Sequence, residues 1–165
     1  METFHHILLD STVGRCLFPL LLLVIANTIA WLAALIFGTE FAAPLDFGIT
    51  LRDGSRLLGD HKTWRGLVSA AVVCGAMTQS FHLGLLPGAA FGTLALLGDA
   101  AASFVKRRLR LAPGTEVVGL DQLPEALAPL LILQRPLGLR LGECLVIAAI
   151  FGVLDVAVTK MRHLR

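Results

Sequence analysis

Charge is what this chain has least of: 16% of its 165 residues are charged, while 56% are apolar. A soluble globular domain carries about 25% charged residues, so an ordinary water-soluble fold is excluded. A mean hydropathy of +0.78 agrees with an integral membrane protein. The surplus of positive charge is also small, at +2 overall, and no nucleic-acid footprint is present. Cysteine is scarce. Cys16, Cys74 and Cys144 lie far apart in apolar runs with no CxxC pair, which excludes a disulfide framework and a cysteine metal site. They read as small core residues. No Walker A loop is present, because the GK pair and its spacing are missing. No internal repeat, low-complexity run or linker divides the chain, so residues 1–165 read as one domain.

Long apolar runs are what the chain does have. Residues 16–37 are long enough to cross a bilayer, which takes ~20 residues. No small-residue cleavage site stands near the end of that run, so it reads as a retained helix rather than a signal peptide. Four more spans follow, at 66–83, 85–105, 123–139 and 141–159. Pro87 falls in the first turn of the third span, where proline is tolerated. The fourth span is the weakest, because it contains Pro124, Pro129 and Pro136. One tight turn between spans two and three implies an antiparallel pair. The expected fold is therefore an all-α integral membrane protein of about five transmembrane helices.

Charge then sets orientation. Of the 14 Lys and Arg residues, all but Arg15, Arg135 and Arg140 fall in loops 38–65 and 106–122 or in the C-terminal tail. The positive-inside rule puts those loops and the C-terminus in the cytoplasm and the N-terminus outside. The same loops collect Asp46, Asp53, Asp60 and Asp121. A mixed acidic and basic face opposite short plain turns points to chemistry on the cytoplasmic side.

Two constellations carry that chemistry. The first is Gly98-Asp99, Ser103 and Lys106-Arg107-Arg108, followed by Leu120-Asp121-Gln122. An ionisable residue within an apolar span is a functional-site hypothesis by default. At 100° per residue, Ser103 lies about 40° from Asp99, Lys106 about 20° to the other side and Arg107 about 80° away. Arg108 points elsewhere, toward headgroups or water. Mg²⁺ takes one or two carboxylates plus substrate phosphates. Asp99 and Asp121 supply such carboxylates, and Lys106 and Arg107 supply phosphate donors. The plainer alternative is that residues 106–110 only anchor a helix end and that Asp99 pairs with one of them.

The second constellation runs from Arg52-Asp53-Gly54-Ser55-Arg56 to Gly59-Asp60-His61-Lys62-Thr63-Trp64-Arg65-Gly66. Its glycines let backbone approach a ligand, and Lys62 and Arg65 add donors for phosphate. Thr63 is placed to cap a helix beginning near Trp64. Trp64 reads as an interfacial anchor, and His61 as an exposed loop histidine. Asn27 and Asp155 are the other polar groups within spans; Asp155 either pairs with Lys160 or faces the site. Glu143 reads as a solvated helix end at the opposite surface.

In this order and on these elements, the two motifs resemble those of the CDP-archaeol synthase family, relatives of the CDP-diacylglycerol synthases. The likeness runs from about Asp53 to Leu123, and span count and chain length match as well. The resemblance implies a CTP-dependent nucleotidyltransferase that moves a cytidylyl group to a lipid phosphate, releases pyrophosphate and requires Mg²⁺. By the same resemblance Asp99, Lys106 and Asp121 are catalytic. Asp60, Lys62, Thr63, Arg65, Ser103 and Arg107 bind substrate, and Asp99 and Asp121 hold the metal. The family usually carries Gly where His61 stands and a second Asp where Pro124 stands. Here Glu125 is the nearest carboxylate, a candidate third ligand.

Two other readings compete. A non-catalytic lipid- or nucleotide-binding membrane protein could retain this scaffold, with Pro124 as its mark. A small transporter is the other, opposed by the few polar groups at mid-membrane depth and the absence of broken-helix repeats. Metal-dependent CTP binding separates the first two from the transporter, and product formation separates the enzyme from the binding protein.

Overall fold

The computed structural model describes residues 11–112 and 115–163. Among the described residues five helices follow one another: α1 (Thr12–Phe37), α2 (Trp64–Ser80), α3 (Leu85–Arg108), α4 (Gln122–Ile132) and α5 (Leu141–His163). No β-strand occurs among the described residues; two isolated bridges, Pro44 with Thr63 and Thr50 with Arg56, fold the first long loop on itself. Among the described residues, three helical segments are long and apolar enough to cross a membrane: Thr12–Phe37, Leu85–Arg108 and Leu141–Met161.

Local chemistry sets the helix starts. The Ser11 hydroxyl accepts the Gly14 amide at 3.0 Å to cap α1. Thr63 caps α2, accepting the Gly66 amide at 3.3 Å as its position predicts. α2 and α3 form the expected antiparallel pair, joined through residues 81–84. Their contact is made by small residues that let backbones approach closely. A Cβ on Gly92, for example, would stand 2.5 Å from the Ala70 carbonyl oxygen. α3 is the central element, packed on α1, α2 and α4, while α1 also meets α5 and closes the bundle.

The fourth span is shorter than the sequence pattern predicts. Only Gln122–Ile132 is helical, and residues 133–138 are turns. Eleven residues rise about 16 Å, roughly half of a ~30 Å hydrocarbon core. Pro136 explains the stop: it has no amide to donate and disfavours helical geometry at the residue before it. The other boundaries move by a few residues, α2 starting at Trp64 and α3 continuing through Arg108.

The core runs along the bundle axis through Leu22, Leu23, Ala70, Cys74, Phe91, Leu130, Ile147 and Phe151. Large apolar side chains cover the outside instead, among them Val13, Leu17, Leu35, Val72, Leu86 and Val153. In water such a surface would be an aggregation hazard; in lipid it is the solvated face. Cys74 and Cys144 are buried and free, as expected of core residues, and Cys16 is partly buried.

Candidate active site at the charged end of the bundle

The bundle end formed by the C-termini of α1, α3 and α5 and the N-termini of α2 and α4 gathers both sequence motifs. Loop 38–63 folds over it around one carboxylate. Asp46 is only 3% exposed. Its Oδ1 accepts the Gly48 amide at 3.0 Å and Arg56 Nη2 at 2.8 Å, and its Oδ2 accepts the amides of Leu58 at 2.9 Å and Gly59 at 3.3 Å. Burial would raise the pKa of this carboxyl, but Arg56 and the three amides outweigh that and hold it well below the usual carboxylate range. Arg56 Nη1 reaches on to Asp60 at 2.7 Å. Backbone pairing then fixes the end of the loop, with Leu45 N donating to Lys62 O and Trp64 N to Ala43 O.

So held, the loop delivers Lys62 to α3, where its ammonium pairs with Asp99. Asp99 does have a lysine partner, but it comes from the other motif and not from residues 106–110. Lys106 turns toward the second loop instead, where Nζ stands 2.6 Å from Asp121 Oδ1 and donates to Thr115 O at 3.0 Å. Asp121 Oδ2 accepts the Val117 amide at 3.1 Å. Ser103 is buried one turn beyond Asp99, on the same face. Arg107 Nη2 bonds the Ala112 carbonyl at 3.1 Å.

The remaining sequence candidates are distributed around this centre. Thr63 acts as a helix cap, and Arg65 Nη1 binds the carbonyls of Gly38 at 3.0 Å and Glu40 at 2.6 Å. Asp60 is 75% exposed and bound to Arg56, His61 is exposed, and Trp64 packs against Phe47 at 6.1 Å. Arg108 departs from its expected place. It does not face open water but latches the loop, bonding Asp53 at 2.8 Å, Ser55 Oγ at 2.7 Å and Arg56 O at 2.9 Å. The Ser55 hydroxyl and amide, with Arg108 adding, hold the Asp53 carboxyl below its ordinary range. Asp155 faces the site side, accepting Gln122 Nε2 at 2.9 Å, while Gln122 Oε1 accepts the Gly119 amide at 2.8 Å. Glu143 is at the opposite end, 3.6 Å from Arg15.

Two of the cavities at this end are lined by the first loop. The larger, about 760 Å³, is lined by residues 53–56 and 58–62 of the first loop and by Ser103, Lys106, Arg107 and residues 110–112. Five cationic side chains border it: Arg56, Lys62, Lys106, Arg107 and Arg110. The smaller, about 330 Å³, shares Asp60, His61 and Lys62 with the first and reaches Asp99. Its other walls include Ala30, Trp31, Ala34 and Leu96. The first cavity suits a polyanion, and the second suits a phosphate carrying an apolar body.

Among the described residues, no group of three or more His, Cys, Asp and Glu side chains converges as a metal site. The carboxylates that the sequence offers for a hard dication, Asp99, Asp121 and Glu125, lie at this end, with Asp155 beside them. Glu125 is 5% exposed, and its Oε1 has no hydrogen-bond partner. It stands within electrostatic reach of Asp99, Asp155, Lys62 and Asp121. The close approach of α4 at Gly98 puts it there: a Cβ on Gly98 would stand 2.1 Å from Pro124 O and 2.9 Å from Glu125 Cα. An orphaned buried carboxylate oxygen beside Asp99 fits the donor chemistry of Mg²⁺. With Pro124 contributing its carbonyl to this contact, Glu125 is the acidic side chain α4 offers there.

Sequence reasoning left Asp46, Arg56 and Gln122 without roles. Asp46 had one legible signal, the Asp-Phe-Gly spacing of an Asx turn. Arg56 and Asp60 stand four residues apart, a spacing at which such a pair can form, whereas the bond from Gln122 to Asp155 spans 33 residues and leaves no local signal.

Comparison with known proteins gives a consistent result. The family model for CarS-like CDP-archaeol synthase matches residues 13–88 and 75–161. The CDP-archaeol synthase of Sulfurisphaera tokodaii is 34% identical over 162 residues, covering 88% of this chain and 94% of that protein. The CDP-archaeol synthase of Pyrococcus furiosus is 44% identical over 89 residues, 48% of this chain and 53% of that one. The alignments with that relative and the one from Thermofilum pendens span about half of the relatives' length. A solved structure described as an intramembrane enzyme for archaeal membrane lipids biosynthesis superposes with a TM-score of 0.66 at 33% identity, covering 84% of this chain and 90% of that one.

Proposed function

The chain belongs to the CDP-archaeol synthase family, and from that premise we propose that it transfers the cytidylyl group of CTP to a lipid phosphate. The products are a CDP-lipid and pyrophosphate. The observation that carries this reading is the pair of cavities meeting at Lys62, one bordered by five cations and the other combining Lys62, Arg65 and Asp99 with the apolar Ala30, Trp31, Ala34 and Leu96. CTP occupies the larger and the lipid phosphate the smaller, so nucleophile and α-phosphorus meet beside Asp99. The charge asymmetry of the sequence puts this end in the cytoplasm, within a multi-pass protein of the cell membrane.

An oxygen of the lipid phosphate attacks the α-phosphorus of CTP. A new P–O bond forms as the bond from that phosphorus to the bridging oxygen breaks, and pyrophosphate leaves with the electron pair. The nucleophile is already ionised at neutral pH, so the site needs no strong general base, and the exposed His61 is not required as one. Phosphoryl-type transfers depend mainly on positioning and electrostatics. Lys62, Lys106 and Arg107 bear on the phosphates, and Ser103 orients one of them with its hydroxyl. On substrate entry the ammonium groups of Lys62 and Lys106 exchange carboxylate partners for phosphate oxygens, which frees Asp99 and Asp121. Those two residues, with Glu125, would hold Mg²⁺, which supplies neutralisation of charge on the departing pyrophosphate. The lipid expected from the family is 2,3-bis-O-geranylgeranylglycerol 1-phosphate.

The test is pyrophosphate release by detergent-purified protein with CTP and Mg²⁺, run separately with an unsaturated ether-lipid phosphate and with phosphatidic acid. Release with the ether lipid supports the reading in full, and release with phosphatidic acid alone reassigns the lipid. Mg²⁺-dependent CTP binding without release from either favours the binding-protein alternative, and no CTP binding at all overturns the proposal.

A further inference from the structure

Arg56 lies outside the set of phosphate-binding residues that the sequence singled out, yet its surroundings are those of a clamp. Its guanidinium borders the larger cavity together with Lys62, Lys106 and Arg107. The two ends of its fork are held very differently. Nη2 is fixed at 2.8 Å on the Asp46 carboxylate, whose side chain is fully buried and whose two oxygens also receive three backbone amides. Nη1 is 2.7 Å from Asp60, a side chain 75% exposed to solvent. Nε is buried and has no hydrogen-bond partner. One face of the group is thus anchored by a partner that cannot leave without unravelling the loop. The other is covered by a carboxylate free to swing into water.

Resting on the CTP reading above, we propose that Arg56 is a further binding residue for the β,γ-phosphates of the nucleotide. Asp46 holds its guanidinium in orientation, and Asp60 is the anion that the polyphosphate displaces. The physical reasons are ordinary. A surface ion pair such as Arg56–Asp60 contributes little and exchanges readily. The Nη1 end of the guanidinium, released from Asp60, makes charge-assisted bonds of fixed direction to phosphate oxygens. Because Asp46 supplies the anchor, Arg56 loses little conformational freedom when the ligand arrives. Asp60 then keeps the cation compensated in the empty cavity rather than touching substrate, a role different from the one its motif suggested.

The test compares binding of CTP with binding of CMP, both with Mg²⁺, to the detergent-purified full chain and its variants. Arg56→Gln should weaken CTP binding about 10-fold to 100-fold while leaving CMP binding unchanged, as expected for loss of a charged hydrogen bond to the outer phosphates. Equal loss for both nucleotides, or loss for neither, overturns the proposal. Asp60→Asn moves the other way and tightens CTP binding, because no anion must then be displaced; weakened CTP binding in that variant contradicts the displacement. In the double variant the Asp60→Asn gain should vanish, since the displaced group has nothing left to cover. A gain that persists there shows a general charge effect and overturns the role of Arg56. Failure of the wild-type chain to bind CTP would instead strike the underlying function, and the two failures are distinguishable.

Discussion

The two ends of the bundle are built from the same helices and differ in almost everything else. At one end, Asp46, Asp53, Asp60, Asp99 and Asp121 each meet a lysine or arginine, and the chain between helices is long and folded. At the other, residues 81–84 and 133–140 are plain turns, and Arg15 approaches Glu143 at 3.6 Å. Ion pairs are a weak source of stability, both at the surface and in the interior. Stability therefore does not explain their concentration at one end. The proposed binding of a polyanion and a dication would explain it: each cation and each carboxylate then needs a temporary partner while the ligands are away. The charged end is a site with its own counterions in place, and the plain end is a scaffold.

That comparison can be broken by substitution. The largest effect is expected from Asp99→Asn, which should reduce turnover by at least about 10³-fold while the variant keeps the thermal stability of the parent. Normal activity in that variant would remove Asp99 from the chemistry. Lys106→Met should follow, with turnover down about 10²-fold to 10³-fold; a smaller change would assign Lys106 to loop anchoring through Thr115. Gly98→Ala tests the seam between α3 and α4. A methyl group there must displace the Pro124 backbone, at a cost of about 1–3 kcal/mol or more. Thermal unfolding should report that loss, and an unchanged midpoint would mean that α4 does not sit so close.

Two smaller effects sharpen the contrast. Asp46 titrates below its ordinary value in the folded loop, so the unfolded chain binds its proton first as pH falls. Its contribution is complete above the unfolded pKa of about 3.9 and declines as pH drops through and below that value. The wild-type chain should lose thermal stability over that acid range by more than Asp46→Asn does, and equal slopes would contradict the buried, ionised role. At the plain end, Arg15→Gln should change stability by about 0–1 kcal/mol and turnover not at all. A clear drop in turnover there would mean that the two ends are not separate in function.

Much of this was legible in the residues because it is local. The three long apolar helices, the Thr63 cap, the tight α2–α3 turn and the shared face of Asp99 and Ser103 all follow from spacing along one helix or at its end. What escaped was pairing between segments. Lys62 meets Asp99 across 37 residues, and Arg108 meets Asp53 across 55. Periodicity along α3 says where each side chain points, but not what loop arrives there. The short α4 was half legible: apolar composition continues to Leu139, but Pro136 ends the helix by a local effect that the sequence already displays. The buried orphan oxygen of Glu125 depends on how closely α4 approaches Gly98, which no pattern in α4 records.

Attack on the α-phosphorus of CTP at the charged end is tested by the position of a radioactive label. The wild-type chain is given Mg²⁺, an ether-lipid phosphate and CTP labelled in either the α- or the γ-phosphate. The account predicts that α-label enters the lipid phase in step with pyrophosphate release, that γ-label stays in water, and that Asp99→Asn does neither. Label from the γ-position in lipid, or no label in lipid from either position while CTP is bound, would contradict it.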